Sequence, residues 1–288
     1  MALYPSMNWA SICICTVMTC LTISNTVIPV STLRTTDLNT LKQFKERENM
    51  FIRTLKEAKE IAGNLGQPDK MPQYAYGLPA NEGSYVEGIC KERGWPVPPK
   101  YGCGVGSKLS KYPSTPCFNC YADERGNYTY PSVHINRTKH AVAIYHPMWK
   151  YAMHKLIGHY VDPSDPHFRW LDSGDLVNVQ MLLDIIWLAR QLPRIKFWLP
   201  TQERQIVRTV LQYEEKPDNL CIRISSTTKN KHYVPLGSYP ITVRNKLCSS
   251  SVSTTGEHNC PSEQYNNTCG RCRLCWDTSH LHTIYKEH

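Results

Sequence analysis

From Phe168 to Ser225 the chain alternates two kinds of apolar pattern, and this alternation restricts its fold more than any other feature. Phe168-Arg-Trp-Leu171 reads as a short strand that ends in Asp172-Ser-Gly-Asp175. Leu176, Val179, Leu183, Ile186 and Trp187 then share one helical face, with Asp175 or Ser173 as the expected N-terminal cap and Pro193 as the stop. Ile195-Lys-Phe-Trp-Leu199 is a second strand, Pro200-Thr201 opens a helix to about Gln212, and Leu220-Cys-Ile-Arg-Ile-Ser225 is a third strand. Right-handed crossovers make the three strands parallel in one sheet. The expected fold class is therefore α/β, a partial or irregular (β/α) barrel-like parallel sheet. Its C-terminal strand ends share the edge where loops and helix N-termini converge on ligands. Asp172, Ser173, Gly174, Asp175, Thr201 and Ser225 are the cofactor-binding candidates there, with Glu203 and Ser226 beside them.

Cysteine spacing adds the chemistry. Four of the thirteen cysteines fall in Cys260-Pro-Ser-Glu-Gln-Tyr-Asn-Asn-Thr-Cys269-Gly-Arg-Cys272-Arg-Leu-Cys275. A disulfide between cysteines so close in sequence is strained, whereas one metal accepts two thiolates from a C-x-x-C hook. The run C-x2-C-x2-C matches loops that wrap an iron-sulfur cluster, expected here as 4Fe-4S, with Cys260 as fourth ligand. A single tetrahedral zinc is the alternative. In mid-chain, Cys117-Phe-Asn-Cys120 is a second hook, and thirteen residues separate it from Cys103. Three thiolates suit a cluster with one iron left open.

Around these groups the signals are weaker. At 288 residues and 41% hydrophobic composition the chain can bury one large core. Its net charge of +9 is dispersed, which points only weakly to nucleic acid. Residues 1–69 read as an N-terminal extension and 70–288 as the metal-binding domain. Within the extension, Trp9 to Val30 is an apolar leader without preceding basic residues, a doubtful membrane or signal segment. Asp37 to Ala62 reads as an amphipathic helix, and Gln67 to Pro116 as loop with short strands whose order depends on the metal. His154, His159 and His167 read as surface residues of a loop-rich stretch, Arg169 and Arg223 as solvent-facing or paired strand residues, and Trp149, Trp187 and Trp198 as core. Three Asn-x-Ser/Thr sequons are read as chance matches.

The ordered set Gly77-Leu-Pro-Ala80, Cys103-x-x-Gly-Ser-Lys-Leu109, Cys117-x-x-Cys-Tyr-Ala122, Gly126-Asn-Tyr128, Arg169-Trp-Leu-Asp-Ser-Gly-Asp-Leu176, Phe197-Trp-Leu-Pro-Thr201 and Cys269-Gly-x-Cys-Arg-x-Cys-Trp276 resembles the phage gene-product-eighty-eight family, with Tyr285 and His288 closing the pattern. The likeness spans about residues 70–288. Residues 81–101 depart from it as an insertion, and Leu171 stands where the family tends to have His. Because family members often begin shortly before Lys70-Met-Pro, the resemblance favours translation from Met50. It also implies kinship with radical S-adenosylmethionine enzymes and a host-cytoplasmic location. On that reading Cys103, Cys117 and Cys120 hold a catalytic cluster, Asp172 to Asp175 contact S-adenosylmethionine, and Cys260, Cys269, Cys272 and Cys275 hold an auxiliary cluster, the substrate being unknown. The competing readings are a zinc protein that binds nucleic acid or a host protein through Arg271 and Arg273, and a secreted disulfide-linked protein.

Overall fold

In the computed structural model, residues 20–23, 26–29, 52–231 and 247–287 are described. The chain divides into two compact units after Phe51. In the first, β1 (Cys20–Ile23) and β2 (Thr26–Pro29) pair antiparallel, Cys20 opposite Pro29. The rest of the leader, and the helix expected over residues 37–51, lie outside the described residues. Among those described, no helix is long and apolar enough to cross a membrane.

The second unit runs α1 (Leu55–Ala62), β3 (Tyr74–Tyr76), α2 (Val86–Arg93), α3 (Gly104–Leu109), α4 (Tyr121–Glu124), α5 (Pro131–Ala143), α6 (Trp149–Tyr160), β4 (His167–Trp170), α7 (Val179–Gln191), β5 (Lys196–Thr201), α8 (Arg204–Leu211), β6 (Leu220–Ser225), β7 (Cys248–Ser253) and β8 (His282–Lys286). Strands β3 to β8 form one open six-stranded sheet, in chain order and parallel throughout. The three strands expected from the alternating pattern are its centre, β4, β5 and β6.

Side-chain alternation gives the sheet two different faces. Phe168, Trp170, Phe197, Leu199, Leu220, Ile222 and Ile224 face a core that α6, α7 and α8 close with Trp149, Met153, Leu156, Leu182, Ile185, Val207 and Val210. Each such side chain, fully buried, contributes about 1.5–3 kcal/mol, so this layer carries most of the fold's stability. Trp198 points the other way and packs with Cys275, Trp276, Met71 and Tyr285. It is therefore core, but core of the second face.

Several local expectations are corrected. Asn178, not Asp175 or Ser173, caps α7 by accepting from Met181 N at 2.8 Å, which leaves Asp175 available at the sheet edge. Thr201 is the last residue of β5, so the next helix begins only at Arg204. Residues 67–116 hold two helices, α2 and α3, beside the short strand β3. His154 and His159 lie on α6 instead of a loop.

Candidate functional site

Every cofactor-binding candidate lies at the C-terminal edge of β4, β5 or β6, as expected, yet most of their polar groups are engaged within the protein. Leu171 takes φ 55°, a left-handed conformation that costs on the order of 1–3 kcal/mol for a bulky residue. Two backbone bonds hold it, Leu171 N to Tyr76 O and Leu78 N to Ser173 O, at 2.8 and 2.9 Å. The turn directs Asp172 inward, where Arg137 from α5 pairs with it at 2.5 Å and Tyr128 donates to the same carboxylate oxygen at 3.2 Å. Gly77 is required at this contact, because a Cβ there would collide with Asp172 Oδ1. Ser173 Oγ donates to Leu78 O at 2.8 Å, Gly174 turns at φ 73°, and Ser225 Oγ meets Ser250 Oγ at 3.3 Å.

Asp175 accepts three bonds, from Thr201 Oγ1 (2.5 Å), Leu176 N (2.7 Å) and Gln202 N (2.8 Å). Burial nevertheless pushes its pKa from 3.8 up to about 7. The folded chain keeps this proton at pH values where the unfolded chain has lost it. Stability is thus expected to fall as pH rises from near 3.8 to about 7. Urea unfolding of Asp175→Asn across that range should lack the slope; a slope equal to that of the unaltered chain would assign the titration to another group.

The three mid-chain thiols sit over this edge. Cys103 precedes α3, whose Val105 N donates to Glu203 Oε1 at 2.7 Å, tying the cysteine loop to the end of β5. Gly106 forms a bare cradle between two sulfurs: a Cβ there would meet Cys103 Cβ at 2.9 Å, Cys103 Sγ at 3.5 Å and Cys117 Sγ at 3.7 Å. Burial pushes Cys117 up to about 12, with further upward pressure from Cys120 and Asp175. Cys103 is raised by burial, Asp175, Cys120 and Cys117. Tyr121, directly after Cys120, donates to Asp172 O at 3.1 Å, joining the hook to the β4 turn.

The second set of cysteines belongs to a different place. Cys269 N donates to Lys70 O at 2.9 Å, ahead of β3, and Arg273 grips Asp165, ahead of β4, through bonds of 3.0 and 2.6 Å. That grip holds Asp165 down at about 2. It also engages Arg273 against the protein, so the expected phosphate-facing pair loses one member. Cys269 is raised by burial and by Cys260 and Cys272, and burial pushes Cys275 up to about 12, with smaller contributions from Cys269 and Cys260. These contacts lie before the strands begin, whereas Cys103, Cys117 and Cys120 lie past the strand ends. The seven cysteines thus form two sets, three and four.

Two arginines serve the second set. Arg223, fully buried, donates to five backbone carbonyls: Cys275 (3.0 Å), Leu274 (2.6 Å), Asp277 (3.1 Å), His280 (2.9 Å) and Ser249 (3.3 Å). Arg169 lies 4.3 Å from the Trp198 ring centroid and acts on Cys269, and its Nε has no hydrogen-bond partner. Among the described residues, neither arginine has a carboxylate within ion-pair distance. Arg223, expected to be solvent-facing or paired, is instead fully buried and bonded to backbone carbonyls alone.

Sequence reasoning missed Arg137 and the edge role of Tyr121 and Tyr128. Their one available signal was the placement of both tyrosines inside the cysteine and Gly126-Asn-Tyr motifs. Unpartnered buried atoms gather on this edge, namely Arg137 Nε and Nη1, Asp172 Oδ1 and Gln202 Oε1, which is where a polar ligand would find both donors and acceptors. The ten cysteines from Cys90 to Cys275 stand as thiols, not disulfides. Among the described residues, no group of three or more His, Cys, Asp or Glu side chains is arranged to hold a metal ion.

A family model described as gene product 88 matches residues 50–278. No curated protein and no solved structure shows a match.

Proposed function

The chain belongs to the gene product 88 family, and from that premise we propose that it is an iron-sulfur protein of the radical S-adenosylmethionine-like kind, with one centre on each cysteine set. The observation that carries this reading is Arg223, which is fully buried and, among the described residues, has no carboxylate within ion-pair distance. A buried cation lacking a counter-charge is strongly unfavourable, and four thiolates around a cluster would supply negative charge beside it, where Arg223 already holds the Cys275 carbonyl. The donor chemistry, thiols alone in each set, suits the group, and Gly106 leaves room between Cys103 and Cys117, although the thiols are not gathered as they would be around a single metal ion. A bound cluster supplies one-electron chemistry; Asp172 Oδ1 and Arg137 would offer an acceptor and donors to the cofactor beside it. The compartment is the host cytoplasm, where thiols stay reduced.

Sheet topology supports the barrel-like part of the reading. Six parallel strands in chain order are the arrangement of a partial (β/α) barrel. In a flat sheet β4 and β8, four strands apart, would stand about 19 Å from one another. Arg169 of β4 instead stacks on Trp198 at 4.3 Å, and Tyr285 of β8 packs against the cluster that holds Trp198, which fits a curled sheet with these residues on its inner face. The three-cysteine loop follows β3, the first strand of that sheet, and covers the ligand-binding edge.

The test is spectroscopic. S-adenosylmethionine added to the reconstituted, reduced protein is expected to change the paramagnetic resonance of one cluster, and Cys103→Ala should abolish that change while sparing the other signal. A spectrum indifferent to S-adenosylmethionine would sink the cofactor assignment.

A further inference from the structure

We propose that Tyr285 donates a hydrogen bond to the Cys275 sulfur and so sets the reduction potential of the four-cysteine centre, an inference that rests on the iron-sulfur reading. The Tyr285 hydroxyl lies 3.2 Å from Cys275 Sγ. A ligating cysteine is a thiolate without a proton to give, so the phenol must be the donor. Cys275 is the buried member of its set, the other three being intermediate, and it is packed against Trp198 and Trp276. Its carbonyl is held by Arg223 at 3.0 Å, which leaves the sulfur little freedom to turn away. In such surroundings a single hydrogen bond acts more strongly than it would in water. A donor to cluster sulfur favours the form carrying more negative charge, the reduced one, and therefore raises the potential.

Tyr285→Phe removes the hydroxyl and keeps the ring that packs on this face. In anaerobically reconstituted protein, the variant should retain its full iron complement. Its reduction equilibrium constant is expected to fall about tenfold, a potential about 59 mV more negative for one electron. An unchanged potential at full iron content overturns the proposal and leaves the iron-sulfur reading standing. Absence of iron from the unaltered chain overturns both. If the variant fails to hold iron, the unaltered protein decides: resonance Raman iron-thiolate bands should shift between H2O and D2O, and bands insensitive to deuteration overturn the proposal.

Discussion

Arg223→Met is expected to destabilise the second unit by about 3 kcal/mol or more, because several buried carbonyls lose their donor together. The substitution roughly conserves volume, so a packing void is not the main effect. What is lost is the hub through which β6 holds Leu274, Cys275, Asp277 and His280, together with Ser249 of β7. Five carbonyl oxygens would lose a donor at once, and an unsatisfied buried acceptor costs about 1–3 kcal/mol. The cheaper response is release of residues 274–280 from the sheet, carrying Cys275 away from Cys260, Cys269 and Cys272. A lowered urea midpoint, with fast amide exchange concentrated in residues 274–280, checks this. A loss under about 1 kcal/mol would show that the carbonyls find water instead.

The second large effect separates the two cysteine sets. Cys272→Ser is expected to remove the metal of the C-terminal set and leave that of the mid-chain set, roughly halving the metal content per chain if the two clusters are of one kind. The combined change of Cys103, Cys117 and Cys120 to Ala should do the reverse. Independence follows from the anchors: Lys70 and Asp165 hold one set before the strands begin, and Glu203 and the Asp172 carbonyl hold the other past their ends. Loss of all metal from either variant, measured on protein whose circular dichroism matches the unaltered chain, would mean a single shared centre.

How legible was this in the sequence? Strands β4 to β6 and helices α7 and α8 follow from periodicity, because their apolar residues serve one continuous core. The C-terminal set of four cysteines and the Cys117–Cys120 hook are read from spacing, whereas Cys103 joins them only through the family resemblance around Gly106-Ser-Lys-Leu109. Helix α6 was missed although Trp149, Ala152, Met153, Leu156 and Ile157 keep helical spacing, because the intervening histidines interrupt the apolar pattern. Helix α5 was not legible, since it buries Arg137, Thr138 and His140 and so has no clean apolar stripe. The serine-rich β7 is poor in the branched residues that announce strands, and its serines are satisfied by neighbours such as His282, whose two ring nitrogens hydrogen-bond the Ser249 and Ser251 hydroxyls at 2.6 and 3.1 Å, one donating and the other accepting.

Site residues divide the same way. Asp172 and Asp175 could be assigned to the ligand edge from strand endings, but their engagement by Arg137 and Thr201 depends on partners up to 35 residues away. Arg223 was misread because a charge in an apolar strand normally faces water. Its acceptors come from more than fifty residues further on for the C-terminal segment, and no local pattern encodes that distance.

The most direct measurement is the iron, acid-labile sulfide and zinc content of the full chain purified without oxygen. Iron with matching sulfide, lost in part on Cys272→Ser and in the complementary part on changing Cys103, Cys117 and Cys120, is the expected result. A chain that carries zinc alone, or no metal at all, would contradict the iron-sulfur assignment.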